Sequence, residues 1–190
     1  VSLASGVISV NTTWQKNKSP YLVTGDVTVN SGVTLTIEPG VQVRFVAISD
    51  DQRGGDDINR SELRIGGVLR AIGTPADTII FTSNGEIPAS GDWYGMRLYG
   101  SGNRVIMKYC RVEFNVYGVR GSDGSSSIDT VQVENSRFRF GGTALYQDFG
   151  NSRTIVFNNN VIDGDGINWN YGFSSAQVQG NIITNGQISF

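Results

Sequence analysis

The sequence has no His and a single Cys, Cys110, among its 190 residues. The missing imidazole excludes every His-based catalytic triad, a His general base and a His-ligated metal. One thiol excludes an intrachain disulfide, a thiolate zinc site and a CxxC redox pair. Charge is scarce as well. Only 17% of residues are charged, and 15 Lys+Arg against 17 Asp+Glu leave a formal charge of −2. That balance carries no nucleic-acid footprint. No apolar run approaches the ~18 residues of a membrane span. No segment keeps a capped 3.6-residue apolar rhythm, so helices are not expected. At this length one domain with a real core is the default.

What is present points to sheet. Gly supplies 25 residues and Asn sixteen, and this Gly share is about twice the usual ~7%. Val, Ile, Thr, Phe and Tyr dominate the apolar runs, and these residues favour strands. Short alternating runs such as Val27–Val29, Val33–Ile37 and Val41–Phe45 are separated by Gly, Pro, Asn or Asp. An all-β protein of many short strands follows.

The back half carries a repeat. Tyr109–Phe114, Asn135–Phe140, Asn159–Gly164 and Gly180–Asn185 align, with pivots Val112, Phe138, Ile162 and Ile183. The strand before each pivot repeats at Val105, Val131, Ile155 and Ala176, and the strand after at Val119, Leu145, Trp169 and Phe190. Three short strands per period and no helix predict a right-handed parallel β-helix. Each strand then lies over its equivalent about 4.8 Å away, and alternate side chains enter a shared interior. One coil cannot bury its own face, so several must stack. Val112, Phe114, Phe138, Phe140 and Ile162 are expected in one interior stack. About six coils are counted between Val27 and Phe190. Asn135, Asn159 and Asn181 fall at corners, where short polar side chains bond the backbone and tolerate left-handed geometry; stacked, they form an Asn ladder. Cys110 shares the corner position of Ser136 and Asn160 and is expected to be inert.

Residues 1–26 read as an N-terminal cap and linker, with Trp14 and Tyr21 over the first coil and Val1–Val10 as linker; residues 27–190 read as the solenoid. Gln187–Phe190 stops inside a strand pattern, so a longer native protein is expected. Were the chain complete, its open edge would self-associate end to end.

Thr24–Val29, Ser31–Val41, Leu69–Thr74, Ile79–Asn84 and Gly91–Met96 are recurrent motifs. Together they resemble right-handed parallel β-helix repeat proteins of the bacterial secreted or cell-surface type, the pectate-lyase-like superfold. The similarity covers roughly residues 14–190. It implies an extracellular or cell-surface location. The fold alone does not imply one function, because the family holds polysaccharide lyases, hydrolases, adhesins and stalk modules.

Three groups of side chains are candidates for chemistry. Asp50, Asp51, Asp56 and Asp57 crowd one loop, a density of hard oxygen ligands that fits calcium, although the spacing is not that of an EF-hand; the alternative is a solvated charged loop. Asp163 and Asp165, with Arg139, form the second group. Asp163 is expected on an outward column running Glu113, Arg139, Asp163, Thr184. The resemblance implies a lyase role there, with carboxylate-bound calcium acidifying a sugar proton that Arg or Lys removes. The column alternates in sign, which also suits plain cross-strand pairing. The third group is Trp93, Tyr94 and Tyr99, whose rings could stack on sugar; core packing is the competing use of Trp93. Tyr117, Tyr146 and Tyr171 lie near strand ends and could line one edge. The sequons at Asn11 and Asn59 read as chance, and Gly121–Ser127 as a flexible loop without phosphate-loop features.

Two functions remain. One is a non-catalytic extracellular module of a larger surface protein, carbohydrate-binding, adhesive or a stalk. The other is a polysaccharide lyase or glycoside hydrolase acting on acidic polysaccharide. The sparse acidic column favours the first. Polysaccharide is the expected partner, with no nucleic acid and no membrane insertion.

Overall fold

The computed structural model describes residues 1–121, 129–147, 153–169 and 175–189. Its strands wind into a right-handed parallel β-helix. Three faces run the length of the solenoid. Face I stacks Thr12–Trp14, Thr34–Ile37, Val68–Ile72, Arg104–Lys108, Asp129–Glu134, Arg153–Asn158 and Ser175–Gln179. Face II stacks the first half of Tyr21–Val29 with Gln42–Phe45, Ile79–Ser83, Cys110–Glu113, Arg137–Arg139, Val161–Asp163 and Ile182–Thr184. Face III stacks the second half of Tyr21–Val29 with Glu62–Ile65, Trp93–Leu98, Asn115–Arg120, Thr143–Gln147, Gly166–Trp169 and Ile188–Ser189. The shared strand Tyr21–Val29 turns the corner between faces II and III, pairing through Tyr21–Val23 with Val43–Phe45 and through Val27–Val29 with Leu63–Ile65.

The repeat read from the sequence sets the register. Val112, Phe138, Ile162 and Ile183 pair in one column. The first three are fully buried, and Ile183 packs on the same core. Val105, Val131, Ile155 and Ala176 form the equivalent column on face I. Inside, Phe45 stacks on Trp93 with ring centroids 3.8 Å apart, and Phe138 lies 5.7 Å from Phe157.

Four expectations change. The described strands make seven coils, because Thr12–Trp14 and Tyr21–Val29 complete one before the first that was counted. Trp14 and Tyr21 belong to that coil's core, stacked 4.7 Å apart. Residues of the expected linker form the strand Ser2–Ile8, which pairs along Tyr21–Val29. The third column continues from Val119 and Leu145 to Ile167 and Ile188 instead of Trp169 and Phe190. The column is reached two residues earlier because the corner from Asp163 to Gly166 is one residue shorter than that from Arg139 to Thr143, and because the extra residue between Thr143 and Leu145 has no counterpart between Gly166 and Ile167. Tyr171, most of the loop 121–127 and Phe190 lie outside the described residues.

Phe114 and Phe140 also leave the interior. Each is the residue after a face II strand, and each has a left-handed backbone, with φ of 62° and 59°. That turn ends the alternation and swings the ring outward. Phe140 is 51% exposed, and the two rings stack on each other 5.5 Å apart. Gly164 and Asn185 continue the same corner with φ of 81° and 56°. At the corner between faces I and II the left-handed column is Tyr109, Asn135, Asn159 and Gly180. Left-handed geometry costs an ordinary residue about 1–2 kcal/mol, least for Asn and Gly.

Beside that second corner runs an inner ladder. The Cys110 amide donates to Ser136 Oγ (3.1 Å), the Ser136 amide to Asn160 Oδ1 (2.9 Å), and the Asn160 amide to Asn181 Oδ1 (2.9 Å). Asn160 and Asn181 return their Nδ2 protons to the carbonyls of Val133 (3.0 Å) and Phe157 (2.6 Å). The ladder therefore uses Asn160 and Asn181, while Asn135 and Asn159 make the turn. Buried Cys110 fits this column, and burial pushes its thiol up to about 12, which removes its reactivity.

Candidate functional site on face III

Alternation puts one straight column of side chains on the outer surface of face III. It runs Thr28, Arg64, Arg97, Arg120, Tyr146, Asn168 and Ser189. A neighbouring column contains Glu62, Gly95, Tyr117, Thr143 and Gly166. The first half of this surface is charged and covered; the second half is neutral and open.

The cover is the loop between Phe45 and Glu62. Asp56 Oδ2 receives Arg97 Nε at 2.6 Å and Arg120 Nη1 at 2.7 Å. Glu62, fully buried, accepts the amides of Asp56 (2.6 Å) and Asp57 (3.0 Å). Gly55 is left-handed, and a Cβ there would lie 2.6 Å from the Glu62 carboxyl carbon, so only Gly allows this approach. Below, Asp26 Oδ1 accepts the Glu62 amide (2.9 Å), and Asp50 Oδ1 accepts the Asp26 amide (3.0 Å). Burial pushes Glu62 up to about 7 against the two loop amides that hold it down. Burial likewise raises Asp26 to about 6, opposed by the Glu62 amide and helped by the Asp50 charge.

The four carboxylates expected to share calcium are used separately. Asp50 holds the amides of Asp26, Gln52 and Gly54. Asp51 takes the Thr24 hydroxyl and the Gln52 side chain, which lower its pKa. Asp56 takes two arginines, and Asp57 pairs with Arg60 at 2.7 Å. Among the described residues no three of His, Cys, Asp and Glu are placed to hold a metal ion.

The aromatic candidates also divide. Trp93 is fully buried and donates its Nε1 to the Glu113 carbonyl (2.8 Å), so it is core. The Tyr94 hydroxyl accepts from Arg120. Burial chiefly raises Tyr94 above the ordinary phenol range. Tyr99 lies under the Arg64 guanidinium at 5.1 Å. The half-buried rings are Tyr117 and Tyr146, 4.9 Å apart. The Arg120 guanidinium sits 5.3 Å and 5.6 Å from their centroids and fixes both. Below them a polar groove is lined by Thr143, Asn168, Asn185, Gln187 and Ser189.

The acidic column of face II is in register as expected: Glu113, Arg139, Asp163, Thr184. Glu113 draws the charge, taking Arg139 Nε (2.6 Å), Arg111 Nε (2.8 Å) and the Thr82 hydroxyl (2.9 Å). Asp163 accepts from the Thr184 hydroxyl at 3.0 Å. Asp165 does not share that outward face. Left-handed Gly164 lies between them, and Asp165 turns into the interior with no exposure. There it accepts the Gly141 amide (2.7 Å), and burial raises it to about 6. A Cβ at Gly141 would meet Asp165 Oδ2 at 2.8 Å and the Asn115 amide at 2.9 Å, so the missing side chain makes room for two buried polar groups.

The Arg64–Arg97–Arg120 column was not found from the sequence. Its members are separated by loops of unequal length and by a register shift between Tyr117 and Val119. Regular spacing therefore gave no signal, although two strand arginines with Tyr neighbours, Arg97 between Tyr94 and Tyr99 and Arg120 after Tyr117, could have.

A family described as a pectate-lyase like beta helix domain matches residues 6–172. Protein bark beetle of Drosophila melanogaster is 36% identical over 81 residues, which is 43% of this chain and 2% of that protein's length. No solved structure gives a significant match. No helix among the described residues is long and apolar enough to cross a membrane.

Proposed function

Since the chain belongs to the pectate-lyase-like β-helix family, we propose that it is a non-catalytic extracellular module of a larger surface protein that binds carbohydrate along face III. One observation carries this reading. The outward column changes from loop-covered arginines to Tyr146, Asn168 and Ser189, with Tyr117 alongside. Aromatic faces suit the C–H face of a sugar ring, and amides and hydroxyls suit its edges. The rings are fixed before binding by Arg120, so little freedom is lost. Calorimetric titration with cellohexaose, xylohexaose, mannohexaose and chitohexaose tests the reading. At least one should bind, and Tyr117→Ala and Tyr146→Ala should each weaken it at least fivefold. Failure of all four to bind the unmodified protein would overturn it.

A second reading, a lyase or hydrolase acting on acidic polysaccharide, draws on face II. Arg139 is in register with Asp163 and lines a groove together with Arg111 and Arg137. Product formed from polygalacturonate by the native chain, and lost in Asp163→Asn, would replace the first reading with this one.

A further inference from the structure

The corner between faces II and III is left-handed in four successive coils, at Phe114, Phe140, Gly164 and Asn185. Gly and Asn suit that backbone; a large aromatic residue is an outlier there. Two adjacent coils nevertheless carry Phe, with Phe140 half exposed and Phe114 partly buried behind it. Strained residues that persist against the preference of their position mark functional surfaces more often than neutral ones.

The surroundings of the pair indicate what it would meet. Phe114 stacks on Phe140, giving a two-ring surface with Phe140 half exposed. The Arg139 guanidinium lies 4.9 Å from the Phe140 centroid. In the next coil Gly164 presents no side chain, and a Cβ there would meet nothing within 4 Å. Gly164 and Asn185 also line the polar groove of face III. Through Gly164 and Asn185 the platform adjoins the groove that Thr143 and Asn168 also line.

We infer that Phe114 and Phe140 form a sugar-stacking subsite at the rim of the face III groove, taking one pyranose ring of a bound oligosaccharide against Phe140. The inference rests on the carbohydrate reading above and adds a second aromatic contact to those of Tyr117 and Tyr146. Its ligand has an apolar ring face for Phe140 and hydroxyls for Asn185 and Arg139.

Phe140→Asn is the decisive variant. Asn185 already occupies this corner position with φ 56°, so Asn keeps the turn while the ring is removed. Titration uses the same four hexasaccharides, and circular dichroism confirms the fold. Phe140→Asn should lose at least fivefold in affinity for whichever hexasaccharide the native chain binds, and Phe140→Tyr should restore most of it. Equal affinity of native and Phe140→Asn proteins, with Tyr117→Ala still impaired, would overturn this inference alone. No binding of any hexasaccharide by the native chain would overturn both. Should Phe140→Asn fail to fold, Phe114→Asn serves in its place and should lose at least twofold, since it removes the ring that backs Phe140; unchanged affinity would count against the inference.

Discussion

Glu62, Asp26 and Asp165 are acids with almost no access to water, and the protein holds each one's proton more tightly than an unfolded chain would. Their ordinary values of 4.5, 3.8 and 3.8 rise to about 7, 6 and 6. The stability they contribute is complete below about pH 4 and is lost as pH rises through 6 to 7. Asp51 shifts the other way, but it titrates below that window. The thermal midpoint should therefore fall by several degrees between pH 5 and pH 8. Asp165→Asn, which keeps an acceptor for the Gly141 amide, should reduce that slope. A midpoint that is flat or rising over this range would contradict the burial of these carboxyls.

At the scale of strands and loops, legibility followed regularity. Val112, Phe138, Ile162 and Ile183 could be aligned because the coils between them are nearly equal in length and each pivot sits mid-strand. Phe114 and Phe140 were misassigned because alternation cannot be extended through a left-handed corner, and the sequence signal of that corner, Gly or Asn, is absent at those two positions. The face III arginines were hidden because they stand at unequal intervals, 33 and then 23 residues, and because no regular spacing marks the loop from Val46 to Ser61 that covers them. That loop makes a separate prediction. With its carboxylates already engaged by amides and arginines, millimolar calcium should leave the thermal midpoint unchanged. A clear rise would mean that the loop reorganises to bring Asp50, Asp51, Asp56 and Asp57 together.

For the whole molecule, stability is a sum of contacts between neighbouring coils. The seventh coil has a neighbour on one side among the described residues, and Val178 and Ile188, in line with the buried Phe157 and Ile167, are exposed. The isolated 190-residue chain is expected to associate through this surface as concentration rises. Sedimentation velocity would show it, and a concentration-independent monomer would exclude it. The inner ladder has a consequence for how such a chain is made. Each rung's amide is satisfied by a side chain that arrives 26, 24 or 21 residues later. On the ribosome, then, no rung is finished until its successor has emerged, and the solenoid is tied off in the order of its own translation.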